Sequence, residues 1–160
     1  MNCGAVGINA AVDVSGTSFW MSDDSFFLYD GAVKKIPCSV QDHVFDNINQ
    51  NAKQDVFCAA NSDFNEVMWF YPSANSTQID KMVAYNYAEN LWYVGTLARS
   101  AWADSGVYEV PYAAEFEASD TTTSISTING LKAGRTFVYL HETGVNDDGA
   151  AMANHIESGD

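Results

Sequence analysis

The segment closest to a catalytic motif in this chain is His141-Glu142-Thr143-Gly144-Val145, which begins like the zinc-binding helix of metalloproteases. That motif requires a second histidine four residues after the first, because two imidazoles on one helical face bind the metal. Val145 occupies the required position, and we expect the segment to end a strand rather than to lie in a helix. The sequence therefore predicts no zinc site here.

Two acidic segments have the residue types of calcium ligands. To form an EF-hand loop aligned on its glycine, Asn146-Asp147-Asp148-Gly149 would need a carboxylate at Gly144 and a bidentate glutamate at His155, and neither is present. Asp23-Asp24 offers only two adjacent carboxylates. We interpret both segments as solvated turns, with a looser calcium site as the alternative interpretation.

Arg99 is conspicuous because only 7 residues are lysine or arginine. Its guanidinium can stack on Trp102 or pair with Asp104, and we interpret it as a structural clasp. With 21 acidic residues, some carboxylate pair will have the separation needed for glycoside hydrolysis by chance. No Ser-His-Asp spacing, phosphate loop or dinucleotide fingerprint is present. We therefore predict no catalytic, cofactor-binding or metal-binding residue, no cofactor and no enzymatic activity.

The composition of the 160 residues indicates a folded protein with an acidic surface. Hydrophobic residues make up 47% and aromatic residues 13%, which is more than a disordered chain contains. The net charge of −14 repels phosphate backbones, so we expect no direct nucleic-acid binding. The first residues lack the features of a signal peptide, and no apolar run approaches the roughly 18 residues that span a bilayer. We expect a soluble protein with no membrane association.

Short aromatic-rich segments separated by turn residues predict an all-β, mainly antiparallel fold. The predicted strands cover 8–21, 26–29, 32–37, 55–60, 67–71, 79–87, 91–97, 107–112 and 137–141. One short helix is predicted over about 40–53, with Ser39 as its N-cap. One apolar face of this helix is predicted from residues spaced four apart, namely Val40, Val44, Ile48 and Ala52.

A strand-and-turn pattern occurs twice, around Trp20 and around Trp69, which lie 49 positions apart. This spacing is close to the period of about 50 residues in kelch-type blades, and it predicts a partial β-propeller of kelch-like blades. The chain has room for about three blades, fewer than the four to eight that close a ring. We therefore expect blades over 1–117, a polar loop or insertion over 118–130, the start of a further blade or domain over 131–160, and a chain that is part of something larger.

The aromatic residues of the predicted strands allow a second interpretation, as a platform on which sugar rings stack. Strands that direct aromatic side chains towards both faces favour core packing instead. The residues concerned are Trp69, Phe70, Tyr71, Tyr85, Tyr87, Trp92 and Tyr93.

A set of short phrases occurs along the chain in a distinctive order, from about Asn9 to Asp160. The phrases are Phe19-Trp20-Met21, Tyr29-Asp30-Gly31, Ile36-Pro37-Cys38, Val44-Phe45, Asn65-Glu66-Val67-Met68-Trp69-Phe70-Tyr71-Pro72-Ser73, Tyr85-Asn86-Tyr87, Trp92, Gly95, Arg99-Ser100-Ala101-Trp102-Ala103-Asp104, His141-Glu142-Thr143-Gly144 and Ile156-Glu157-Ser158-Gly159-Asp160. In this order they resemble a virion structural protein of tailed bacteriophages, although residues 118–130 fit the pattern poorly. The resemblance depends on the ordered set rather than on any single phrase.

The family that the chain resembles contains the hub or nozzle proteins of phage tails, which are much longer and include a β-propeller. The resemblance implies a structural component of the tail that acts by subunit packing and assembly, without catalysis. It implies partners among other virion tail proteins, a homo-oligomeric ring, and a virion location after assembly in the host cytoplasm. This chain would then be an internal piece of such a protein.

The sequence is also consistent with two other functions. The alternative from a different class is a glycan-binding or glycan-cleaving β-propeller that recognises a host surface through exposed aromatic residues and a carboxylate pair. A receptor-binding adhesin of the same particle is the third. For the tail component, we further expect the acidic charge to suit a conduit that DNA passes without adsorbing.

Overall fold

The computed structural model describes residues 3–106, 108–117, 135–144, 146–147 and 150–151. One α-helix in this part of the chain is α1 (Gln41–Asn47), and single 3₁₀ turns lie at Lys53–Asp55 and Ser62–Phe64. The strands are β1 (Ala11–Val14), β2 (Thr17–Met21), β3 (Phe26–Tyr29), β4 (Val33–Ile36), β5 (Phe57–Asn61), β6 (Glu66–Tyr71), β7 (Lys81–Asn86), β8 (Leu91–Gly95), β9 (Ala101–Ala103), β10 (Tyr112–Glu117), β11 (Arg135–Leu140), β12 (Asn146–Asp147) and β13 (Ala150–Ala151).

Three open antiparallel sheets contain most of these strands. Sheet 1 consists of β1 to β4 and sheet 2 of β5 to β8, and in both sheets each strand pairs with the next one along the chain. Sheet 3 has the order β11-β10-β9, while β12 and β13 form a two-stranded ribbon. The prediction of a mainly antiparallel β fold with one short helix is confirmed.

Sheet 2 lies between the other two sheets because β6 is apolar on both faces. Residues 67–71 of this strand are all buried. The ring of Trp69 lies 4.8 Å from that of Phe26, in a core shared with sheet 1. The ring of Phe70 lies in a second core on the opposite face, 6.1 Å from the ring of Trp102 in sheet 3. Neighbouring side chains of β6 thus pack in opposite directions, as the pleat of a strand requires.

The first strands of the three sheets lie side by side, β1 along β5 and β5 along β9. The amide of Cys58 in β5 donates a hydrogen bond of 2.8 Å to the carbonyl of Asn9, shortly before β1. The amide of Ser62, after β5, donates a hydrogen bond of 3.1 Å to Oδ1 of Asp104, after β9. The sheets therefore follow one another in series along this shared edge.

The two tryptophans of the predicted repeat occupy equivalent positions, Trp20 on β2 and Trp69 on β6. The indole N–H of Trp69 donates to the carbonyl of Ala10 at 3.1 Å, and that of Trp20 donates to the carbonyl of Cys3 at 2.7 Å. Each acceptor precedes the tryptophan's own sheet in the sequence. Phe19 and Met21, on either side of Trp20, face sheet 2, so Trp20 faces away from sheet 2. Trp69 faces sheet 1 and therefore away from sheet 3. Each indole thus lies on the face of its sheet that points away from the next sheet in the series.

The helix is shorter than predicted, because α1 ends at Asn47 instead of continuing to about residue 53. Ile48 has an extended backbone, with φ −78° and ψ 140°, and it bridges to Ser73. Val44, Ile48 and Ala52 are buried, as the predicted apolar face requires. The extended backbone of Ile48 and a turn over residues 50–52, rather than a continued helix, place Ile48 and Ala52 in the core.

The predicted cap and the predicted first strand are also wrong. Val40 rather than Ser39 occupies the N-cap position, and it makes no side-chain capping hydrogen bond. The segment 8–21 contains a hairpin of two strands instead of one strand. The turn between them uses left-handed backbone at Ser15 and Gly16, with φ values of 52° and 83°.

The strand predicted over 107–112 is not formed. Residues 108–110 are bends, and Val107 lies outside the described residues. Because Pro111 has no N–H to donate to a ladder, pairing begins one residue later, at Tyr112. Sheet 3 instead uses β9 and β10, with Ala113 opposite Trp102.

The predicted polar loop or insertion at 118–130 lies outside the described residues, as do 131–134 and 152–160. From the segment predicted to begin a further blade or domain, β11 pairs with β10 along its whole length. No helix in the described part of the chain is long and apolar enough to cross a membrane.

Replacing Trp69 by phenylalanine should lower the free energy of unfolding by about 2 kcal/mol, because it leaves a void in a closed core and removes a buried hydrogen bond. The equivalent change Trp20→Phe should cost less than about 1 kcal/mol, because this ring is only half-buried. Urea unfolding followed by circular dichroism measures both values. Equal losses would contradict the placement of Trp69 in a closed interface and of Trp20 on an outer face.

Candidate functional site

Two groups of interacting polar side chains lie on the facing surfaces of sheets 2 and 3. The Arg99 cluster belongs to sheet 3 and its flanking residues, and it comprises Arg99, Glu115, Tyr139 and His141. The Glu66 cluster combines residues of β5, β6 and β8 with one residue after β11, and it comprises Asn61, Glu66, Tyr93 and Glu142.

Arg99 is only 8% exposed, and its guanidinium is surrounded by partners. Nη1 donates a 2.6 Å charged hydrogen bond to Oε2 of Glu115 and a 2.8 Å bond to the carbonyl of Ala98. Nε donates a 3.0 Å hydrogen bond to Nε2 of His141. The guanidinium carbon lies 4.2 Å from the ring centre of Tyr139, a cation–π contact. Arg99 therefore joins β10 to β11 as a structural clasp.

The partners of Arg99 differ from those that the sequence predicts. Trp102 packs against the imidazole of His141 instead, with ring centres 4.6 Å apart. Asp104 accepts hydrogen bonds from the backbone and hydroxyl of Ser62. The sequence predicted contacts of Arg99 only with residues close to it in the chain. The pairing of β10 with β11 instead brings Glu115 and His141 to it.

The Arg99 cluster has little capacity for catalysis. Nε2 of His141 already accepts a hydrogen bond from Arg99, so this nitrogen does not offer a free lone pair to a substrate. Arg99 and Glu115 line a cleft of about 180 Å³, whereas ligand sites typically occupy about 300–1,000 Å³. The geometry is that of a packed ion pair.

The Glu66 cluster places two carboxylates around one buried amide. Asn61 is 2% exposed, and its Nδ2 lies 3.5 Å from Oε2 of Glu66 and 3.3 Å from Oε1 of Glu142. Burial raises the pKa of Glu66, and the charge of Glu142 raises it further, against hydrogen bonds from Tyr93 and Asn61. Burial, followed by the hydrogen bond to Glu66, raises the pKa of Tyr93. Glu66 thus holds its proton more tightly in the folded chain than in the unfolded one.

The Glu66 cluster contains two carboxyl groups that share one hydrogen-bond donor, the amide of Asn61. Its two carboxylates lie in different environments, because Glu66 is half-buried and Glu142 is exposed. Glu142 also has left-handed backbone, with φ 56°, which is uncommon for a residue other than glycine. It belongs to a turn after β11, so the zinc-protease-like phrase that contains it does not lie on a helix.

The other candidates from the sequence lie apart from these clusters. Asp23 forms an ion pair with Lys53, and Asp24 is exposed. Asn146–Asp147 forms the short strand β12, whereas residues 148–149 lie outside the described residues. In the described ranges, no group of three His, Cys, Asp or Glu side chains is arranged to hold a metal ion.

Most of the predicted aromatic platform is core. Four of its residues are buried, two are half-buried and Tyr93 is 42% exposed. The buried residues are Trp69, Phe70, Tyr71 and Tyr85, and the half-buried ones are Tyr87 and Trp92. The strands therefore direct these rings into two cores, without a continuous exposed row.

The sequence did not indicate Asn61 or Glu66 as site residues, and it indicated Tyr93 only as a member of the aromatic platform. Asn61 and Glu66 flank the turn Ser62–Phe64, so the hairpin of β5 and β6 alone would place them opposite each other. Glu142 follows Asn61 by 81 positions, and no local pattern predicts their approach.

A groove of about 370 Å³ lies between the first strands of the three sheets. Its charged lining residues are Asp13 and Asp104, and no lysine or arginine contributes to it. Asp13 accepts hydrogen bonds from the backbone of Gly16 and the hydroxyl of Ser18. The groove therefore has a negative potential.

Replacing Arg99 by methionine should lower the free energy of unfolding by about 2–3 kcal/mol, because Glu115 and His141 lose a partner inside an interface. Lys34→Met is the matched control. Lys34 pairs with Asp30 at the same distance, 2.6 Å, but on the surface, so its loss should leave the free energy of unfolding nearly unchanged. Urea unfolding compares the two variants. Similar small losses would mean that Arg99 is not a clasp.

Replacing Glu66 by glutamine should raise the free energy of unfolding at neutral pH by about 0.5 kcal/mol, a small effect because the side chain is half-buried. Its raised folded-state pKa means that ionisation of Glu66 opposes folding as pH rises above the ordinary glutamate value of 4.5. The gain should therefore vanish below that pH. Urea midpoints across the acidic range measure it, with exposed Glu89→Gln as the control. If the gain in free energy of unfolding from Glu66→Gln grew towards low pH, this would contradict the raised pKa of Glu66.

Compared with known proteins, the chain matches no protein-family model and no curated protein sequence.

Proposed function

We propose that this chain is a structural component of a bacteriophage tail, built as consecutive blades of a β-propeller, and that it acts by subunit packing without catalysis. The observation that carries the proposal is the series of three antiparallel sheets whose first strands lie side by side. Propeller blades have this relation, because each blade is a four-stranded sheet arranged around a common axis. The proposal also draws on the ordered phrases that resemble phage tail proteins.

The repeat supports the propeller arrangement. Trp20 and Trp69 lie 49 positions apart on equivalent strands, and each indole bonds to a carbonyl that precedes its own sheet. A blade of the kelch type has a period of about 50 residues. Sheets 1 and 2 thus share a sequence pattern and a strand order, and in each the tryptophan makes a tertiary hydrogen bond to a backbone carbonyl.

The chemistry of the polar clusters supports a structural role. Arg99 is held by a carboxylate, an imidazole and a carbonyl, which satisfies its charge inside the protein. The carboxylates of Glu66 and Glu142 share the amide of Asn61. The Arg99 contacts join strands within sheet 3, and the contact of Asn61 with Glu142 joins sheet 3 to sheet 2, as a packing element requires.

The acidic groove supports a place next to a DNA path. In a ring that continues the series of sheets, the first strands face the axis, so Asp13 and Asp104 would line the central channel. Negative charge there disfavours adsorption of a phosphate backbone and leaves DNA free to move.

The second candidate, a glycan-binding or glycan-cleaving propeller, draws on the Glu66–Glu142 pair. A glycosidase needs two carboxyl groups with different pKa values beside a bound sugar. Glu66 has a raised pKa, but the aromatic side chains that would stack a sugar are mostly buried. The buried rings make this candidate weaker than the structural one.

Mass spectrometry of purified phage particles tests the proposal. Particles from the source of this sequence should yield its tryptic peptides, including those covering 36–53 and 54–81, in constant ratio to other tail proteins. Washing in high salt should not remove them, because a tail component is held by extensive packing. Peptides found in infected cells but missing from the particles would overturn the tail assignment. Glycan cleavage that is lost in Glu66→Gln but kept in Glu89→Gln would support the second candidate instead.

A further inference from the structure

The amide of Asn61 is buried without full hydrogen bonding. The residue is only 2% exposed, and its Oδ1 accepts no hydrogen bond from the described part of the chain. Its Nδ2 lies 3.3 Å from Oε1 of Glu142 and 3.5 Å from Oε2 of Glu66, both beyond the range of about 2.7–3.2 Å that is usual for N–H···O hydrogen bonds. Because buried polar groups in proteins are nearly always well hydrogen-bonded, this amide indicates that a further polar group or ion belongs beside it.

In the described ranges, no lysine or arginine forms an ion pair with the two carboxylates that face this amide. Glu66 lies on β6 of sheet 2, and Glu142 lies in the turn after β11 of sheet 3. The ion pairs among the described residues use other carboxylates, namely those of Asp23, Asp30 and Glu115. Two carboxylates that face one group repel each other, and a cation between them replaces this repulsion by attraction.

The distances around the amide are those expected between calcium ligands. A half-turn of the Asn61 carboxamide exchanges its two outer atoms, so that Oδ1 lies 3.3 and 3.5 Å from the two carboxylate oxygens. Oδ1 loses no hydrogen bond within the described part of the chain in this half-turn. Two oxygens that bind Ca²⁺ at right angles, each about 2.3–2.6 Å from the ion, are about 3.3–3.7 Å apart. For Mg²⁺, with bonds of about 2.0–2.1 Å, the same separation is only about 2.8–3.0 Å, so the spacing favours Ca²⁺.

We propose that Asn61, Glu66 and Glu142 bind a calcium ion, through Oδ1 of the asparagine and one carboxylate oxygen of each glutamate. Ca²⁺ takes 6–8 oxygen ligands in a flexible geometry and accepts carboxylates, side-chain amides and water. Glu142 is exposed, so water reaches the ion and completes its coordination. The ion links the hairpin of β5 and β6 in sheet 2 to the turn after β11 in sheet 3.

Isothermal titration calorimetry of the full chain, after removal of metal ions with a chelator, tests the proposal. Calcium chloride should bind at a single site with a Kd of about 10⁻⁴–10⁻³ M, the range of weak calcium sites. Magnesium chloride should bind at least about tenfold more weakly, because its shorter bonds do not fit the spacing. Calcium should also shift the side-chain amide signals of Asn61 in nuclear magnetic resonance spectra. No calcium binding up to about 10 mM, ten times the upper end of that range, would overturn the proposal.

The variant Glu142→Gln distinguishes a specific site from the diffuse attraction of calcium to an acidic protein. It removes one charged ligand from an exposed turn, so the variant should fold and should bind calcium about tenfold more weakly or not at all. Glu89→Gln is the matched control, because it removes the same charge from an exposed residue between β7 and β8. The control should bind calcium like the wild type. Equal weakening in both variants, or equal affinities of the wild type for calcium and magnesium, would contradict the assignment.

Discussion

The structure depends on one constraint, which is that β6 is apolar on both faces. Five consecutive residues, 67–71, are buried, so sheet 2 cannot be stable with either face in water. Sheet 1 closes the Trp69 side and sheet 3 closes the Phe70 side. The serial arrangement of the three sheets follows from this requirement.

The two interfaces of sheet 2 differ in chemistry. The interface with sheet 1 is a large aromatic core in which the indole N–H of Trp69 finds a backbone acceptor. The interface with sheet 3 has a smaller apolar core bordered by the Arg99 and Glu66 clusters. The Arg99 cluster ties strands of sheet 3 to one another, and the Glu66 cluster ties sheet 3 to sheet 2 through Asn61 and Glu142. Their side chains are largely hydrogen-bonded to one another, which leaves little reactive capacity. Two further carboxylates, Asp13 and Asp104, line the groove between the first strands.

The sequence predicted the elements better than their contacts. Alternating aromatic residues and turn residues identified most strands, because the period of two is a local property. The helix was predicted too long, because Ile48 and Ala52 reach the core from an extended residue and a turn after Asn47 rather than from a continued helix. The strand predicted over 107–112 failed at Pro111. The Glu66 cluster could not be predicted because Glu142 reaches Asn61 across 81 positions.

Hydrogen exchange at the amide of Cys58 tests the serial packing most directly. This N–H donates to the carbonyl of Asn9, outside the ladder of sheet 2, so its protection depends on the segment that leads into β1 of sheet 1. If the sheets pack in series, it should exchange as slowly as the amides of β6 and β7, which open only with global unfolding. Exchange at the rate of exposed loop amides would contradict the joining of sheets 1 and 2, and with it the account of the fold.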